Sequence, residues 1–133
     1  MKIKFKRIIA FSLIAVLLAA MVKAEDYSSQ ISDAFKSGNS NALSKYFYDH
    51  IELSLENSNS IYSKNQAIQV LADFFSKNPP NNFIENNSGE KLNAKFILGS
   101  LYTNSGIFNI SILLRGESNN MKIYQLSIEK DFF

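Results

Sequence analysis

The stretch SKNQAIQVLADFFSKNPP, residues Ser63–Pro80, carries the strongest local structural signal of the 133-residue chain. Ser63 and Gln66 have the spacing of a capping box, in which each side chain accepts a hydrogen bond from the other residue's backbone N–H. Apolar residues follow at intervals of three and four, the period of one helical face: Ala67, Val70, Leu71, Phe74 and Phe75. The two closing prolines cannot continue a helix. We therefore expect a helix from Lys64 to about Lys77.

Upstream of that helix the pattern predicts two further helices. The first has one apolar face, formed by Tyr27, Ile31, Ala34 and Phe35. A short second helix is expected to start at Asn39 or Ser40 and to run to about Tyr48. It would bury Leu43 and Phe47.

A hairpin is expected between the second helix and the third. Its first strand alternates apolar and polar residues, as a half-buried strand does; the apolar ones are Ile51, Leu53 and Leu55. A turn at Asn57–Asn59 then leads to a short return strand at Ile61 and Tyr62.

After the third helix the apolar period changes from 3.6 to 2, and four strand-like segments follow: Asn82–Asn87, Lys91–Thr103, Gly106–Arg115 and Met121–Lys130. Gly89, residues 104–106 and residues 116–120 have the composition of hairpin turns, which make the strands antiparallel neighbours. In the third segment Phe108, Ile110, Ile112 and Leu114 share one face; in the fourth, Tyr124, Leu126 and Ile128 do. The sequence predicts an α+β fold.

The N-terminus has the order of a secretory signal peptide: four positive charges in the first seven residues, then an uncharged run over Ile8–Val22, then small residues. Fifteen helical residues reach about 22 Å, less than the ~30 Å hydrocarbon core of a bilayer. We expect residues 1–24 to be cleaved and residues 25–133 to form a single α+β domain. The protein would then be periplasmic or secreted and would not be attached to the membrane.

Charge and composition limit the possible functions. Residues 25–133 hold 9 basic and 12 acidic side chains, and Arg115 is their single arginine. A basic nucleic-acid footprint is therefore absent, and no nucleic-acid partner is expected. The chain has no cysteine, which excludes Cys-based metal sites and a Cys nucleophile. No cofactor is expected.

Three stretches carry a resemblance to a known family: DAFKSGNSNALSKYF (Asp33–Phe47), IYSKNQAIQVLADFFSKNPP (Ile61–Pro80) and YQLSIEK (Tyr124–Lys130). Over nearly all of Asp26–Lys130 the chain resembles domain-of-unknown-function family 4783, a family of small exported bacterial proteins. The resemblance implies export and a nuclear-transport-factor-2-like (cystatin-like) cone, in which a curved antiparallel sheet packs on about three N-terminal helices. It implies no activity and no functional residues.

Candidate catalytic residues are few. His50 is the single histidine, and its neighbour Asp49 would point to the opposite face of a strand. The carboxylates of the predicted elements fall on solvated faces, where the pKa of an acid is not raised by burial; they are Asp33, Glu52, Asp73 and Glu129. We predict no catalytic residue and no metal site.

Tyr62, Tyr102 and Tyr124 remain as candidates for the lining of a pocket. An aromatic body with a polar tip suits a small apolar ligand. Packing in the core or on the sheet is the alternative interpretation of the same residues.

In the last strands apolar side chains occur on both faces of the sheet. The face that does not pack on the helices is therefore also expected to be buried in a contact. Ile107, Leu113 and Ile123 are the expected members of that face. A second copy of the chain, or another protein of the envelope, is the expected partner.

Two functions are compatible with these patterns. The first is a non-catalytic binding or interaction domain of the bacterial cell envelope. The alternative is a small-molecule pocket enzyme of the isomerase or hydratase type. Phenylalanine and leucine filling the cone would favour the first, and an ionisable group buried beside a tyrosine would favour the second.

The first testable prediction concerns processing. Val22 and Ala24 fit the small-residue positions of a signal-peptidase site, so mass spectrometry of the exported protein should find Glu25 at the N-terminus. An intact chain, retained in the membrane through Ile8–Val22, would contradict the prediction.

Overall fold

A computed structural model of the protein describes residues 26–117 and 120–132. The chain divides into two compact units, Met1–Gln30 and Ile31–Phe133, and the strands described below belong to the second. The expected signal peptide, residues 1–24, lies outside the described residues.

Three helices and six strands follow one another along the described chain: α1 (Tyr27–Ser37), α2 (Ser40–Ser44), β1 (Phe47–Leu55), β2 (Ser58–Ser63), α3 (Lys64–Lys77), β3 (Pro80–Lys91), β4 (Ala94–Thr103), β5 (Gly106–Arg115) and β6 (Lys122–Lys130). The strands form one sheet in the order β2-β1-β6-β5-β4-β3. Neighbours are antiparallel except for β1 and β6, which are parallel. The predicted α+β class is confirmed.

Helix α3 has the predicted limits and the predicted cap. The Gln66 backbone N–H donates to Ser63 Oγ at 3.3 Å, and the Ser63 N–H donates to Gln66 Oε1 at 3.1 Å. At the other end the Asn78 N–H donates to the Phe74 carbonyl, and the prolines begin immediately afterwards. The buried side of the helix consists of Ala67, Leu71, Phe74 and Phe75.

The second helix is shorter than expected: it ends at Ser44, and strand β1 already begins at Phe47. Leu43 and Phe47 are both buried, as expected, but Phe47 is buried as a strand residue alongside Ile123. Aromatic residues at positions 46–48 favour a strand, and pairing with β6 gives them partners that an isolated helical turn lacks.

The hairpin turn expected at Gly89 is wrong. Gly89 lies inside β3, directly opposite Phe96, and the chain reverses at Leu92 and Asn93 instead. Leu92 has a φ of 54°, a left-handed conformation that a leucine seldom adopts. The pattern misleads because a glycine can also lie inside a strand where a neighbouring ring, here that of Phe96, packs close to its backbone.

The inner face of the sheet is the face that packs on the helices, and its side chains are in register across the strands. Leu53 lies beside Leu126, Leu126 opposite Ile112, and Ile112 opposite Ile97. All four are at most 1% exposed. The buried members of this face are Phe47, Ile51, Leu53, Phe83, Ile97, Leu101, Phe108, Ile110, Ile112, Leu114, Ile123, Leu126 and Ile128. We call the opposite side the outer face.

A glycine on the inner face lets an aromatic ring lie against the sheet. A Cβ at Gly99 would overlap the ring of Phe83 and would lie 2.9 Å from the carbonyl oxygen of Ile84. Next to this position the register between β3 and β4 shifts by one residue, between Glu85 and Asn87, as at a β-bulge. The ring of Phe83 thereby reaches Phe35 of α1 and stacks on it at 5.2 Å.

The two strand glycines provide a matched pair for a stability test. Gly99→Ala forces Phe83, a buried ring in contact with α1, to move, so we expect a loss of about 1–3 kcal/mol in the free energy of unfolding. Gly89→Ala meets the ring of Phe96, but Phe96 is 37% exposed and has solvent to move into. We expect its effect to stay within about 0.5 kcal/mol.

Chemical denaturation of the two variants measures this difference. Because both substitutions replace a strand glycine by alanine, the backbone-entropy effect is common to both. Equal losses would show that Gly99 is not required by the packing of Phe83.

Candidate functional site

The space between the helices and the inner face is filled by phenylalanine rings. Phe74 of α3 meets Phe108 of β5 edge-on at 5.0 Å, and Phe35 meets Phe75 edge-on at 6.2 Å. Phe74 and Phe75 are themselves 5.6 Å apart. Such pairs contribute about 0.5–1.5 kcal/mol beyond the area that they bury. The interior is therefore a packed aromatic core.

Ionisable groups stay outside that core. Between Ile31 and Phe132, over the residues that the structure describes, the single buried polar side chain is Ser40. His50 and Asp49 are both exposed on β1. The described part of the chain also contains no group of three His, Cys, Asp or Glu side chains placed to hold a metal ion.

The four candidate carboxylates lie apart from one another. Asp33 and Asp73 are exposed on their helices, and Asp73 forms an ion pair of 3.0 Å with Lys77. Glu52 of β1 and Glu129 of β6 are half-buried and lie on the outer face. Glu52 accepts a hydrogen bond from Asn59 Nδ2 at 2.9 Å, and Glu129 accepts one from Ser54 Oγ at 3.3 Å.

The three candidate tyrosines are not brought together. Tyr62 lies opposite Ile51, so it is on the inner face at the edge strand β2. Tyr102 lies opposite Ile107 on the outer face, two strands from Tyr124. A single pocket lined by all three does not form.

Ile123 and Tyr124 each lie on the face of the sheet that the sequence pattern predicts for the other. Ile123 is fully buried on the inner face, so it does not join Ile107 and Leu113 on the outer one. Leu113 pairs with Gln125 while Leu114 pairs with Ile123, so Tyr124 is the extra residue of a bulge in β6. A strict period of two cannot anticipate the insertion of one residue.

The middle of the outer face is polar. Asn109 and Ser111 of β5 lie opposite Glu129 and Ser127 of β6, and Ser100 of β4 lies beside Asn109. We call these five residues the polar band. A groove of about 370 Å³ runs over four of them, all but Ser100, with Leu98 and residues of β3 along its side. The band separates the two predicted interface residues Ile107 and Leu113, which are both half-buried.

A second groove of the outer face lies beside the β3–β4 hairpin, and we call it the hairpin groove. Its volume is about 330 Å³, and its lining residues are Gly89, Glu90, Lys91, Ala94, Lys95, Phe96, Leu113 and Tyr124. Phe96 and Leu113 are direct cross-strand neighbours. The Arg115 guanidinium lies over the ring of Tyr124, 4.1 Å from its centroid. Tyr124 and Leu113 thus belong to one site, although the sequence pattern assigns Tyr124 to a pocket and Leu113 to an interface.

No helix in residues 26–117 and 120–132 combines the length and the apolar character needed to cross a bilayer.

A family model described as a domain of unknown function, DUF4783, matches residues 28–129. No protein with a curated description matches the sequence. Two crystal structures of DUF4783 family proteins are similar to the chain. The protein from Bacteroides ovatus is 31% identical with a TM-score of 0.75, over 78% of this chain and 94% of that one. The protein from Bacteroides uniformis is 30% identical with a TM-score of 0.77, over 81% of this chain and 100% of that one.

More distant proteins also share the fold. An NTF-2-like protein of unknown function from Silicibacter pomeroyi has 13% identity and a TM-score of 0.59, over 91% of this chain and 98% of that one. At this identity the likeness concerns the fold alone. It supports the nuclear-transport-factor-2-like cone expected from the sequence.

The filled interior gives a testable prediction. Phe74 is 3% exposed and contacts both Phe75 and Phe108, so Phe74→Ala should lower the free energy of unfolding by about 3–5 kcal/mol. A domain of this size holds only about 5–15 kcal/mol. Phe96→Ala, which removes the same ring from a partly exposed position, is the control and should cost about 1 kcal/mol. Equal losses in chemical denaturation would contradict the assignment of the core.

Proposed function

The chain belongs to the DUF4783 family, a domain of unknown function on a nuclear-transport-factor-2-like fold, and we propose that it is a non-catalytic binding domain of the bacterial cell envelope that uses the outer face of its sheet. The observation that carries the proposal is the division between the two faces. The inner face is filled by phenylalanine and aliphatic side chains. The outer face holds two open grooves.

Catalysis by an acid or base inside the cone gains no support from this arrangement. An isomerase or hydratase of that type needs an ionisable group held near its substrate. From Ile31 to Phe132, the described interior contains aromatic rings where such a group would be placed. Two half-buried carboxylates, Glu52 and Glu129, belong to the outer face, and a third, Asp131, follows the end of β6.

Location in the envelope rests on the N-terminal pattern of charge followed by an apolar run. The sequence also leads us to propose a second copy or another envelope protein as partner. With Ile123 in the core, such an interface would rest on Ile107 and Leu113, and it would have to cover the polar band between them. Stable interfaces bury about 800 Å² on each partner, so a protein partner would contact both apolar ends and the band.

Photo-crosslinking in cells that produce the full chain tests the use of the outer face. The photoreactive residue p-benzoylphenylalanine replaces Leu98, which is 38% exposed on the outer face. In a matched control it replaces Gln69, an exposed residue of α3 on the other side of the molecule. Irradiation should give a discrete adduct from position 98 and none from position 69.

The size of the adduct identifies the partner: twice the chain mass for a second copy, a larger unequal mass for another protein, and a small increment for a small ligand. Equal labelling from positions 98 and 69 would contradict the use of the outer face. The adduct should be recovered with the periplasmic or secreted fraction, and a protein found wholly in the cytoplasm would contradict the envelope assignment.

A further inference from the structure

Basic residues are concentrated at one corner of the sheet. Lys91, Ala94, Arg115 and Lys122 lie side by side on β3, β4, β5 and β6, so three basic residues share one row of the sheet. The ammonium of Lys122, at the end of the row, donates to the Lys45 carbonyl at 3.0 Å. Adjacent strands are about 4.8 Å apart, and the row is therefore about 14 Å wide. Lys95 also lines the hairpin groove, although it lies opposite Leu114 and therefore outside this row.

This concentration is unusual for the chain. The described residues contain 9 basic and 11 acidic side chains, yet three of the nine basic ones share this row and a fourth, Lys95, lines the groove beside it. Glu90 also lines the groove and lies directly opposite Lys95, so it offsets one of the four charges. Among the described residues no carboxylate forms an ion pair with Lys91 or Arg115. The corner therefore keeps a positive field.

An apolar floor borders the row of cations. Phe96 and Leu113 occupy the next row along the strands, and the bulge turns Tyr124 towards them. Leu98, 38% exposed, continues the apolar surface one row further. The guanidinium of Arg115, whose N–H groups are all hydrogen-bond donors, lies over the ring of Tyr124. Positive charge thus stands at one end of a short apolar groove.

We propose that the hairpin groove binds a free single-chain amphiphile with an anionic head group, a carboxylate or a sulfate. The head group lies between Arg115 and Lys91, and the hydrocarbon chain lies on Phe96, Leu113 and Tyr124 towards Leu98. The volume of about 330 Å³ falls at the lower end of the range for small-molecule sites, which fits one short chain. The inference rests on the proposed function, since it assigns a ligand to the same outer face.

Two other occupants fit less well. A second copy packed groove to groove about a two-fold axis would bring the same corner to the site, and Glu90 is the single carboxylate among the lining residues that it could offer to Arg115 and Lys91. An anionic membrane surface would meet the whole domain, in which acidic residues outnumber basic ones, whereas a single free molecule meets only the local field.

Titration of the exported protein with sodium octanoate, followed by backbone amide NMR, tests the proposal. Below the micelle concentration we expect saturable shifts at residues around the groove and none at α3. Arg115→Gln, at an exposed position, should weaken octanoate binding about three- to fivefold. Lys130→Gln, at the opposite end of β6, is the control and should leave it unchanged. Octyl glucoside, with the same chain and a neutral head, should bind more weakly and should not respond to Arg115→Gln.

A second pair of variants tests the apolar floor. Leu113→Ser should weaken both octanoate and octyl glucoside, while Ile61→Ser, at a 74% exposed apolar position on β2, should weaken neither. Thermal unfolding verifies that each variant is folded. Absence of saturable octanoate binding, shifts confined to the helices, or equal binding by Arg115→Gln and the parent would overturn the proposal.

The remaining outcomes identify another occupant. Co-sedimentation with phosphatidylglycerol vesicles without octanoate binding would assign the site to a membrane surface. A dimer in sedimentation velocity that Leu113→Ser dissociates and octanoate does not would assign it to a second copy. Either result would overturn the proposal of an amphiphilic ligand but would keep the outer face as the binding surface. If the photoreactive residue at position 98 gives no adduct and octanoate does not bind, the proposed function is rejected as well.

Discussion

The ring of Phe83 lies against Gly99, and the position of the helices on the sheet depends on that contact. Without a Cβ at Gly99, the ring comes close enough to the strand to stack on Phe35 of α1. Phe35 also meets Phe75, and Phe75 meets Phe74, which reaches Phe108 on the central strand β5. A chain of aromatic contacts thus joins two helices to two strands and occupies the interior of the cone.

Filling the interior determines where a ligand can bind. Packed cores have few voids larger than a water molecule, and the buried side chains described between Ile31 and Phe132 include no ionisable group. The outer face has the opposite character, because each inward residue of a strand is flanked by outward ones. Its outward residues form a polar band in the middle and an apolar corner beside the β3–β4 hairpin. The bulge in β6 completes that corner by turning Tyr124 outward while Ile123 stays in the core.

Local signals allowed the helices and the class of the fold to be predicted from the sequence, and the failures share one physical cause. The limits of α3 follow from a capping box and two prolines, which act within a few residues. The role of Gly89 depends instead on Phe96, and the end of α2 depends on the pairing of Phe47 with β6. The face of Ile123 depends on a bulge against β5. Each of these is decided by a partner strand, which a local pattern does not contain.

The same distinction applies to the hairpin groove. Lys91, Arg115 and Lys122 are spread over three strands, so their common row exists only once the register of the sheet is fixed. The overall excess of acidic residues argues against a large anionic partner. At physiological ionic strength, however, charges are screened over about 8 Å. A small molecule in the groove therefore responds to the cations within that distance and hardly to the acids elsewhere on the domain. An acidic protein can in this way carry a site for an anion, provided that the ligand is small enough to remain within one corner of the sheet.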